Sequence, residues 1–375
     1  MKKIFLVIFS LAVVTTVQSQ VLSQKSIRIG FSGPITGELE RFGVYQVKAI
    51  EDVIEKYRSN FNIEFRALDD KCFPELAHEN AIKLSDAEVD FVIGHTCSGA
   101  TIHALPVYFD NNVICITTSA TNPAINASGR FDNFFRTIPN DEDQSKKLVD
   151  FAEINNLMNV IVVYEITDYA KTISEGIKRY NSQLNINYLG LDLRDGRFYQ
   201  ENNNTEDIST FINKTDIIIY CGYYPEFIHT YSFFKEQFNF NNVFLGCEGV
   251  FDEKLFAEKN PVFENVYVIT SESLRNIGTM KEVVSNYINK YGEEPGPYYE
   301  RTYNSVDFLL NIYLENPYLL ELNNIERSIE LKNILHNQEF ETSLGNISFR
   351  ENGDISDDTF QFFIIDNYAF KKVNN

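Results

Sequence analysis

The stretch FVIGHTCSGATIHALPV, residues 91–107, places His95, Cys97 and Ser98 in a turn that follows an apolar run. His95 and Cys97 are two residues apart, so their side chains could share one face as a base and a nucleophile. A cysteine nucleophile needs a lowered pKa and a base that a third group orients. No such third group stands out, and the G-x-S-x-G motif is absent. The stretch is therefore more typical of a binding turn than of an active site.

Polar residues follow four apolar runs, in the segments GHTCSGAT, ITTSATNP, IYCGYYPE and LGCEGV. In open α/β sheets, ligands bind beyond the carboxyl ends of the strands. A helix that starts at such a turn offers free N–H groups to an anion, and Ser98 and Thr121 add hydroxyl donors. Glu248, in LGCEGV, adds a carboxylate on the facing side. Donors on one side and an acid on the other suit a zwitterion such as an α-amino acid.

The N-terminus has the features of a secretory signal peptide. Lys2 and Lys3 precede an apolar run over residues 4–14, and residues 17–19 offer a cleavage site. Residues 1–19 are therefore predicted to be removed, and we expect a soluble, exported protein because no later run of apolar residues is long enough to span a bilayer. The net charge of −20 makes nucleic acid and anionic membrane poor partners and leaves a small ligand open.

The cysteines are Cys72, Cys97, Cys115, Cys221 and Cys247, an odd number, so at least one stays free or pairs outside the chain. A lone cysteine in an exported protein is more often half of a disulfide than a nucleophile. Cys72 ends the strand before FVIG, so a Cys72–Cys97 bridge would join neighbouring strand ends. Cys221 and Cys247 end successive strands and could also pair. Without C-x-x-C or H-x-x-x-H spacing, no metal site is expected.

Short apolar runs alternate with longer amphipathic segments in two series along the chain. One series includes IRIGF, IEFRAL and VICITT, and the other includes VIVVY, INYLGLDL, DIIIY and VFLG, each followed by a predicted helix. This alternation predicts an α/β fold with parallel sheets of right-handed βαβ units, in two similar lobes. The tail from Phe340 loses the alternation, and its short strands NISF and FQFFII are predicted to cross between the lobes.

Seven segments stand in an order and spacing that resemble a known family: GPITGELERFG, DDKCFP, VIGHTCSGAT, ITTSATNP, FRTIPND, IYCGYYPE and LGCEGV. The chain resembles the bacterial periplasmic leucine/isoleucine/valine-binding proteins, the type I solute receptors of branched-chain amino-acid ABC importers. The likeness covers nearly the whole mature chain. It implies two Rossmann-like lobes, the type I periplasmic binding protein fold, that close on a ligand. Three crossovers near Ile138, Ser271 and Phe349 would divide the chain into lobe one (27–138 plus 272–349) and lobe two (139–271 plus 350–375).

The resemblance also implies a role for individual residues. Ser98, through its hydroxyl and N–H, and Thr121 would hold the α-carboxylate of the ligand. The Ser119 carbonyl, Thr121 and Glu248 would take the α-ammonium. Four rings would line the side-chain pocket: Phe42, Tyr169, Tyr223 and Tyr298. The family further implies the Cys72–Cys97 bridge, no cofactor, and a monomeric periplasmic protein that delivers its ligand to an inner-membrane ABC permease.

Several of these residues have simpler explanations when each is taken alone. Ser98 and Thr121 also suit helix N-caps. The three tyrosines belong to a set of 21 and suit packing, and an isolated Glu248 is typical of a solvated loop acid. Only their shared location at strand ends, together with the family resemblance, favours a ligand site.

The chain departs from the family at four of the quoted positions. Ser119, Cys221 and Cys247 stand where Ala, Gly and Pro are usual, and Tyr298 brings a phenol where an apolar ring is usual. The phenol favours a more polar pocket, so amino-acid binding is better supported than a preference for branched aliphatic side chains.

Three classes of function fit these observations to different degrees. The leading interpretation is a non-enzymatic receptor that delivers an amino acid to a permease. The same fold could serve a sensor, or a receptor for an amide or another small polar solute, and such ligands need no acid at Glu248. A cysteine-dependent hydrolase is the third class; the missing base–orienter pair and the predicted disulfide argue against it.

Overall fold

The computed structural model describes residues 26–200, 208–257, 262–271, 278–356 and 360–373. The predicted signal peptide, residues 1–19, lies outside the described residues. Within them the chain forms two separate main sheets. Helices cover both faces of each, which confirms the predicted α/β fold with two Rossmann-like lobes. We call the five-stranded sheet with its helices lobe one and the eight-stranded sheet with its helices lobe two.

The sheet of lobe one consists of parallel strands, as predicted from the alternating pattern. They are β1 (Ile27–Gly33), β2 (Ile63–Asp69), β3 (Phe91–Gly94), β4 (Ile114–Thr117) and β5 (Phe134–Arg136), in the spatial order β2-β1-β3-β4-β5. The helices of this lobe are α1 (Glu40–Tyr57), α2 (Pro74–Asp86), α3 (Ser98–Asp110), α8 (Met280–Tyr291), α9 (Tyr299–Glu315) and α10 (Asn324–Asn337). Two buried apolar clusters lie on opposite faces of the sheet and form its core.

The sheet of lobe two is larger and mixed. Its strands are β6 (Asn159–Glu165), β7 (Asn185–Asp192), β8 (Arg197–Gln200), β9 (Ile217–Cys221), β10 (Val243–Gly246), β11 (Val266–Ser271), β14 (Phe360–Asp366) and β15 (Ala369–Lys372), in the order β15-β14-β11-β10-β9-β6-β7-β8. The pairs β7–β8, β11–β14 and β14–β15 are antiparallel. The helices are α4 (Asp141–Ile154), α5 (Asp168–Tyr180), α6 (Ser209–Ile212) and α7 (Tyr224–Phe238). None of the helices in the described part of the chain is long and apolar enough to cross a membrane.

The segment after β7 differs from the predicted strand–helix alternation. The chain turns into the hairpin β7–β8, and the one helix described before β9 is the short α6. Asp192 holds the turn, since its side chain accepts from Arg194 N at 2.9 Å and its carbonyl accepts from Gly196 N at 2.8 Å. Gly196 has a φ of +67°, a conformation that glycine adopts without strain. This local turn chemistry overrides the βα pattern.

Helices begin and end at local signals in the sequence. The first residue of α2 is Pro74, whose missing N–H would have no partner at that position. Asn323 and Glu326 form a reciprocal capping box at the start of α10. These two signals mark the first residues of α2 and α10.

The C-terminal tail crosses between the lobes as predicted. β12 (Phe340–Thr342) and β13 (Gly345–Ile347) pair with each other, and β14 then pairs with β11 in the sheet of lobe two. Arg136 is buried and donates from Nε to Asp354 Oδ1 at 2.8 Å, which ties the end of β5 to the tail. The domain boundaries near Ile138, Ser271 and Phe349 stay predictions.

Candidate ligand-binding site

The turn after β3 contains no nucleophile–base pair. Cys97 forms a disulfide with Cys72, which confirms the predicted bridge and leaves no thiol to ionise. His95 is fully buried, with Nδ1 2.6 Å from Asp70 Oδ2 and Nε2 3.0 Å from the Tyr108 hydroxyl. The imidazole is therefore bonded within the core of lobe one and does not activate the sulfur.

The second possible disulfide does not form, because Cys221 and Cys247 are both free, buried thiols. The amide N–H of Gly222 donates to Cys247 Sγ at 3.2 Å, and the Tyr169 hydroxyl lies 3.3 Å from the same sulfur. Burial raises the pKa of the Cys247 thiol to about 12, so the sulfur stays neutral. The Cys247 sulfur packs against the strand ends of lobe two and does not react as a thiolate.

On lobe one, the predicted donors lie at the ends of β3 and β4. Ser98 is the first residue of α3, and its Oγ accepts from the amide N–H of Asn122 at 3.3 Å. Ser119 Oγ donates to Thr96 O at 2.9 Å. The Ser119 group that is predicted to contact the ligand is its carbonyl, which this bond does not use. All three of the predicted residues on this wall, Ser98, Ser119 and Thr121, are buried.

The N-cap alternative for Ser98 and Thr121 is wrong. Cys97 holds the N-cap position of α3, and Asn122, not Thr121, caps the short 3-10 turn Pro123–Ile125. The Thr121 hydroxyl lies beside Asp141 and favours the ionised form of that carboxyl. It nevertheless has no partner within hydrogen-bond geometry among the described residues. Thr121 thus holds a buried hydroxyl with unused bonding capacity.

Glu248 lies on the opposite wall, in lobe two, and is buried. Its Oε1 accepts from the Ser271 hydroxyl at 2.6 Å, from Ser271 N at 3.1 Å and from the Thr270 hydroxyl at 3.2 Å. Its Oε2 has no hydrogen-bond partner in the described part of the chain. Burial raises the pKa of Glu248, while Ser271 and Arg301 act in the opposite direction. The expectation of a solvated loop acid is wrong, since only 5% of the residue is exposed.

A second buried carboxylate, Asp141, stands beside Glu248 and was missed by the sequence analysis. Gln144 joins the two residues: its Nε2 donates to Asp141 Oδ1 at 2.9 Å, and its Oε1 accepts from Glu248 N at 2.9 Å. Asp141 Oδ2 has no partner among the described residues. Burial raises the pKa of Asp141 to about 8, and the neighbouring Glu248 charge adds to that rise. We call Ser98, Ser119, Thr121, Asp141 and Glu248 the clamp, the candidate site for a ligand.

The four predicted rings form one aromatic cluster beside the clamp. The ring centroid of Phe42 lies 5.9 Å from Tyr223 and 5.5 Å from Tyr298, and Tyr223 lies 5.1 Å from Tyr169. After burial, the charge of Glu248 is the largest cause of the raised pKa of Tyr298, which puts this phenol close to the clamp. The Tyr169 hydroxyl accepts from Gly249 N at 3.1 Å, so the backbone of lobe two already holds it.

The two lobes are in contact across the cleft. Asn122 of lobe one donates from Nδ2 to Thr172 Oγ1 of lobe two at 2.7 Å. The Tyr224 hydroxyl of lobe two donates to Glu38 O of lobe one at 2.9 Å. Phe42, on α1, packs among the rings of lobe two. The two lobes are therefore closed over the clamp, which accounts for the burial of the clamp side chains.

Comparison with known proteins is consistent with this architecture. The family described as "Receptor family ligand binding region" matches residues 47–365. The chain belongs to this family. The leucine-, isoleucine-, valine-, threonine-, and alanine-binding protein of Pseudomonas aeruginosa is 25% identical, over 95% of this chain and 94% of that protein.

Solved structures share the fold. A leucine-binding protein from Thermotoga maritima superposes with a TM-score of 0.77 at 21% identity, covering 93% of this chain and 98% of that one. A branched-chain amino acid transporter substrate-binding protein from Streptococcus pneumoniae, in complex with isoleucine, has a TM-score of 0.76 at 22% identity, covering 92% and 98%. These likenesses confirm the resemblance drawn from the seven sequence segments.

Proposed function

We propose that the chain is the solute receptor of an ABC importer. After export to the periplasm it captures a branched-chain or related L-amino acid between its lobes and delivers it to an inner-membrane permease. One observation carries this proposal: the carboxylates of Asp141 and Glu248 are buried, and Asp141 Oδ2, Glu248 Oε2 and the Thr121 hydroxyl all lack a hydrogen-bond partner among the described residues. A ligand with both a carboxylate and an ammonium complements the two walls.

The charges of the clamp explain why a zwitterion suits it. The N-terminal N–H groups of α3 and the Ser98 hydroxyl favour an anion at the lobe-one wall. Burial raises the pKa of both acids on the other wall, because an isolated buried carboxylate is unfavourable. An ammonium between Asp141 and Glu248 would restore their ionised forms. A neutral amide supplies no such charge.

The aromatic cluster and the relatives support an amino acid with an apolar stem. Phe42 packs against Tyr223 and Tyr298, so the side of the clamp next to these rings is apolar. The Pseudomonas relative is named for leucine, isoleucine, valine, threonine and alanine, and the Streptococcus structure contains isoleucine. The ligand side chain would therefore lie against these rings.

A second candidate is a receptor or sensor for an amide or another small polar solute. The buried Arg301 favours this alternative, because its charge lowers the pKa of Glu248 and supplies part of the counter-charge that a ligand ammonium would give. The Tyr298 phenol also makes the pocket more polar.

A thermal-shift screen with matched ligands separates the two candidates. L-Leucine and its relatives should raise the melting temperature, since a ligand at a hundredfold excess over its Kd stabilises the folded state by about 2.7 kcal/mol. 4-Methylpentanoic acid lacks the ammonium and L-leucinamide lacks the carboxylate, so neither should raise the melting temperature. Stabilisation by neutral amides, with no response to any L-amino acid, would overturn the proposal.

A further inference from the structure

A cavity lies between the two lobes, beside the aromatic cluster. Its volume is about 680 Å³, and residues of both lobes line it. Tyr169 and Tyr223, two rings of the aromatic cluster, are part of its wall, as is Cys97, the residue before Ser98. The cavity therefore shares part of its wall with the rings that the resemblance assigns to the ligand side chain.

The lobe-two side of this cavity contains a buried carboxylate. Glu165, the last residue of β6, has no exposed surface. Its Oε1 accepts from the Tyr220 hydroxyl at 2.7 Å and from Tyr223 N at 2.6 Å. Its Oε2 has no hydrogen-bond partner among the described residues. Such a group is unfavourable unless a cation or a donor reaches it.

The charges around the cavity are mainly negative. Four acids line it (Glu38, Glu165, Asp168 and Glu226) against two lysines (Lys71 and Lys171), which leaves a formal excess of two negative charges. Both lysines are exposed, whereas Glu165 is buried and Glu226 is half-buried. The charge of Glu226 adds to the effect of burial and raises the pKa of Glu165. The lysines thus do not neutralise the buried acid.

The remaining wall suits a methylene chain. Leu39, Ile166 and Leu193 line the cavity with apolar side chains, and the Tyr223 ring lies at the end nearest the aromatic cluster. An alkyl stem would contact these groups on its way from the clamp to Glu165. A cation near the tyrosine rings would also gain favourable cation–π contact.

We propose that this cavity is a second subsite, which takes the cationic end of a long side chain, so that the ligand is an L-amino acid with an alkylammonium group, such as L-lysine or L-ornithine. The inference rests on the proposed function, because the clamp would hold the α-carboxylate and α-ammonium. It narrows the candidate ligands to L-amino acids whose side chain is long enough to reach Glu165. The ligand ammonium then pairs with the carboxylate oxygen that the protein leaves without a partner.

Titration calorimetry with L-lysine and L-norleucine tests the subsite, since the two differ only in the terminal ammonium. The wild type should bind L-lysine at least tenfold more tightly than L-norleucine. In Glu165→Gln the ratio of the two affinities should fall at least tenfold, and in Glu226→Gln at least threefold. Glu175→Gln, an exposed acid of α5 outside the cavity, should leave the ratio unchanged within twofold.

The wild-type comparison alone decides the proposal even if a variant does not fold. An L-norleucine affinity equal to or above that of L-lysine overturns the subsite and leaves the clamp intact. No binding of either compound, or of any L-amino acid, overturns the proposed function and the subsite together.

Discussion

Arg41 donates from Nε to both carboxylate oxygens of Asp252, at 3.1 and 3.3 Å, and so joins α1 of lobe one to lobe two. The Asp252 side chain has no exposed surface. Burial raises the pKa of Asp252, and the Arg41 charge acts against that rise. The pair lies across the cleft from lobe to lobe, and neither residue belongs to the clamp. It therefore stabilises the closed arrangement without being one of the predicted ligand contacts.

Arg41→Gln should weaken ligand binding by favouring the open arrangement. Loss of the charge-assisted bonds should cost about 1–2 kcal/mol of closure, or roughly 5- to 30-fold in affinity. Small-angle scattering of the ligand-free variant should give a larger radius of gyration than the wild type. Arg58→Gln, at the exposed end of the same helix, is the matched control. Unchanged affinity and unchanged scattering would exclude this role for the pair.

Thiol titration should distinguish the disulfide from the three free cysteines. Cys115, Cys221 and Cys247 are buried, so the native protein should show no reactive thiol. Denaturation without reductant should expose three thiols, and reduction should raise the number to five, the full cysteine content. Five thiols before reduction would refute the Cys72–Cys97 bridge, and one would reveal a Cys221–Cys247 bond.

The ligand-free protein should lose stability with rising pH because of Asp141. Burial raises the pKa of this carboxyl to about 8, whereas an unfolded aspartate titrates near ~3.9. Between these values the folded carboxyl keeps a proton that the unfolded one releases. The contribution of Asp141 to the free energy of unfolding is thus complete below pH ~4 and is lost as the pH rises towards 8. The loss is at most about 1.4 kcal/mol per pH unit.

Asp141→Asn removes this titrating group and should reduce the dependence of the free energy of unfolding on pH. Urea denaturation at pH 5, 6, 7 and 8 should show a smaller fall in the free energy of unfolding for the variant than for the wild type. Glu165, whose pKa burial also raises to about 8, should keep part of the slope in both proteins. Equal slopes would mean that Asp141 is ionised in the folded state.

The sequence predicted the features that depend on local pattern and on strand ends. The alternating apolar runs predicted both sheets. The Cys72–Cys97 bridge was predicted because the protein was expected to be exported and the two cysteines follow neighbouring strands. Ser98 and Glu248 were predicted as ligand groups because each lies in the turn that follows an apolar strand. Parallel strands bring such positions to one edge of a sheet, so this reasoning needs no three-dimensional information.

Features that depend on packing between distant segments were not predictable. Asp141 follows the crossover after β5, and nothing near it in the chain indicates that Gln144 connects it to Glu248. The burial of Glu248 depends on Ser271 and on closure of the lobes, which an isolated loop acid does not reveal. A signal was present at Asp141, since the quoted segment FRTIPND ends on it, but the acid was not assigned a role.

Glu248→Gln, measured by titration calorimetry with the L-amino acid that binds the wild type most tightly, tests the zwitterion clamp most directly. The amide keeps an oxygen for the Ser271 and Thr270 donors, so the variant should fold. It removes the counter-charge of a buried ammonium, a loss of about 3 kcal/mol or more, so affinity should fall at least roughly 100-fold. Glu51→Gln, an exposed acid of α1, should bind like the wild type. A loss under threefold in Glu248→Gln would contradict the clamp and favour a neutral ligand.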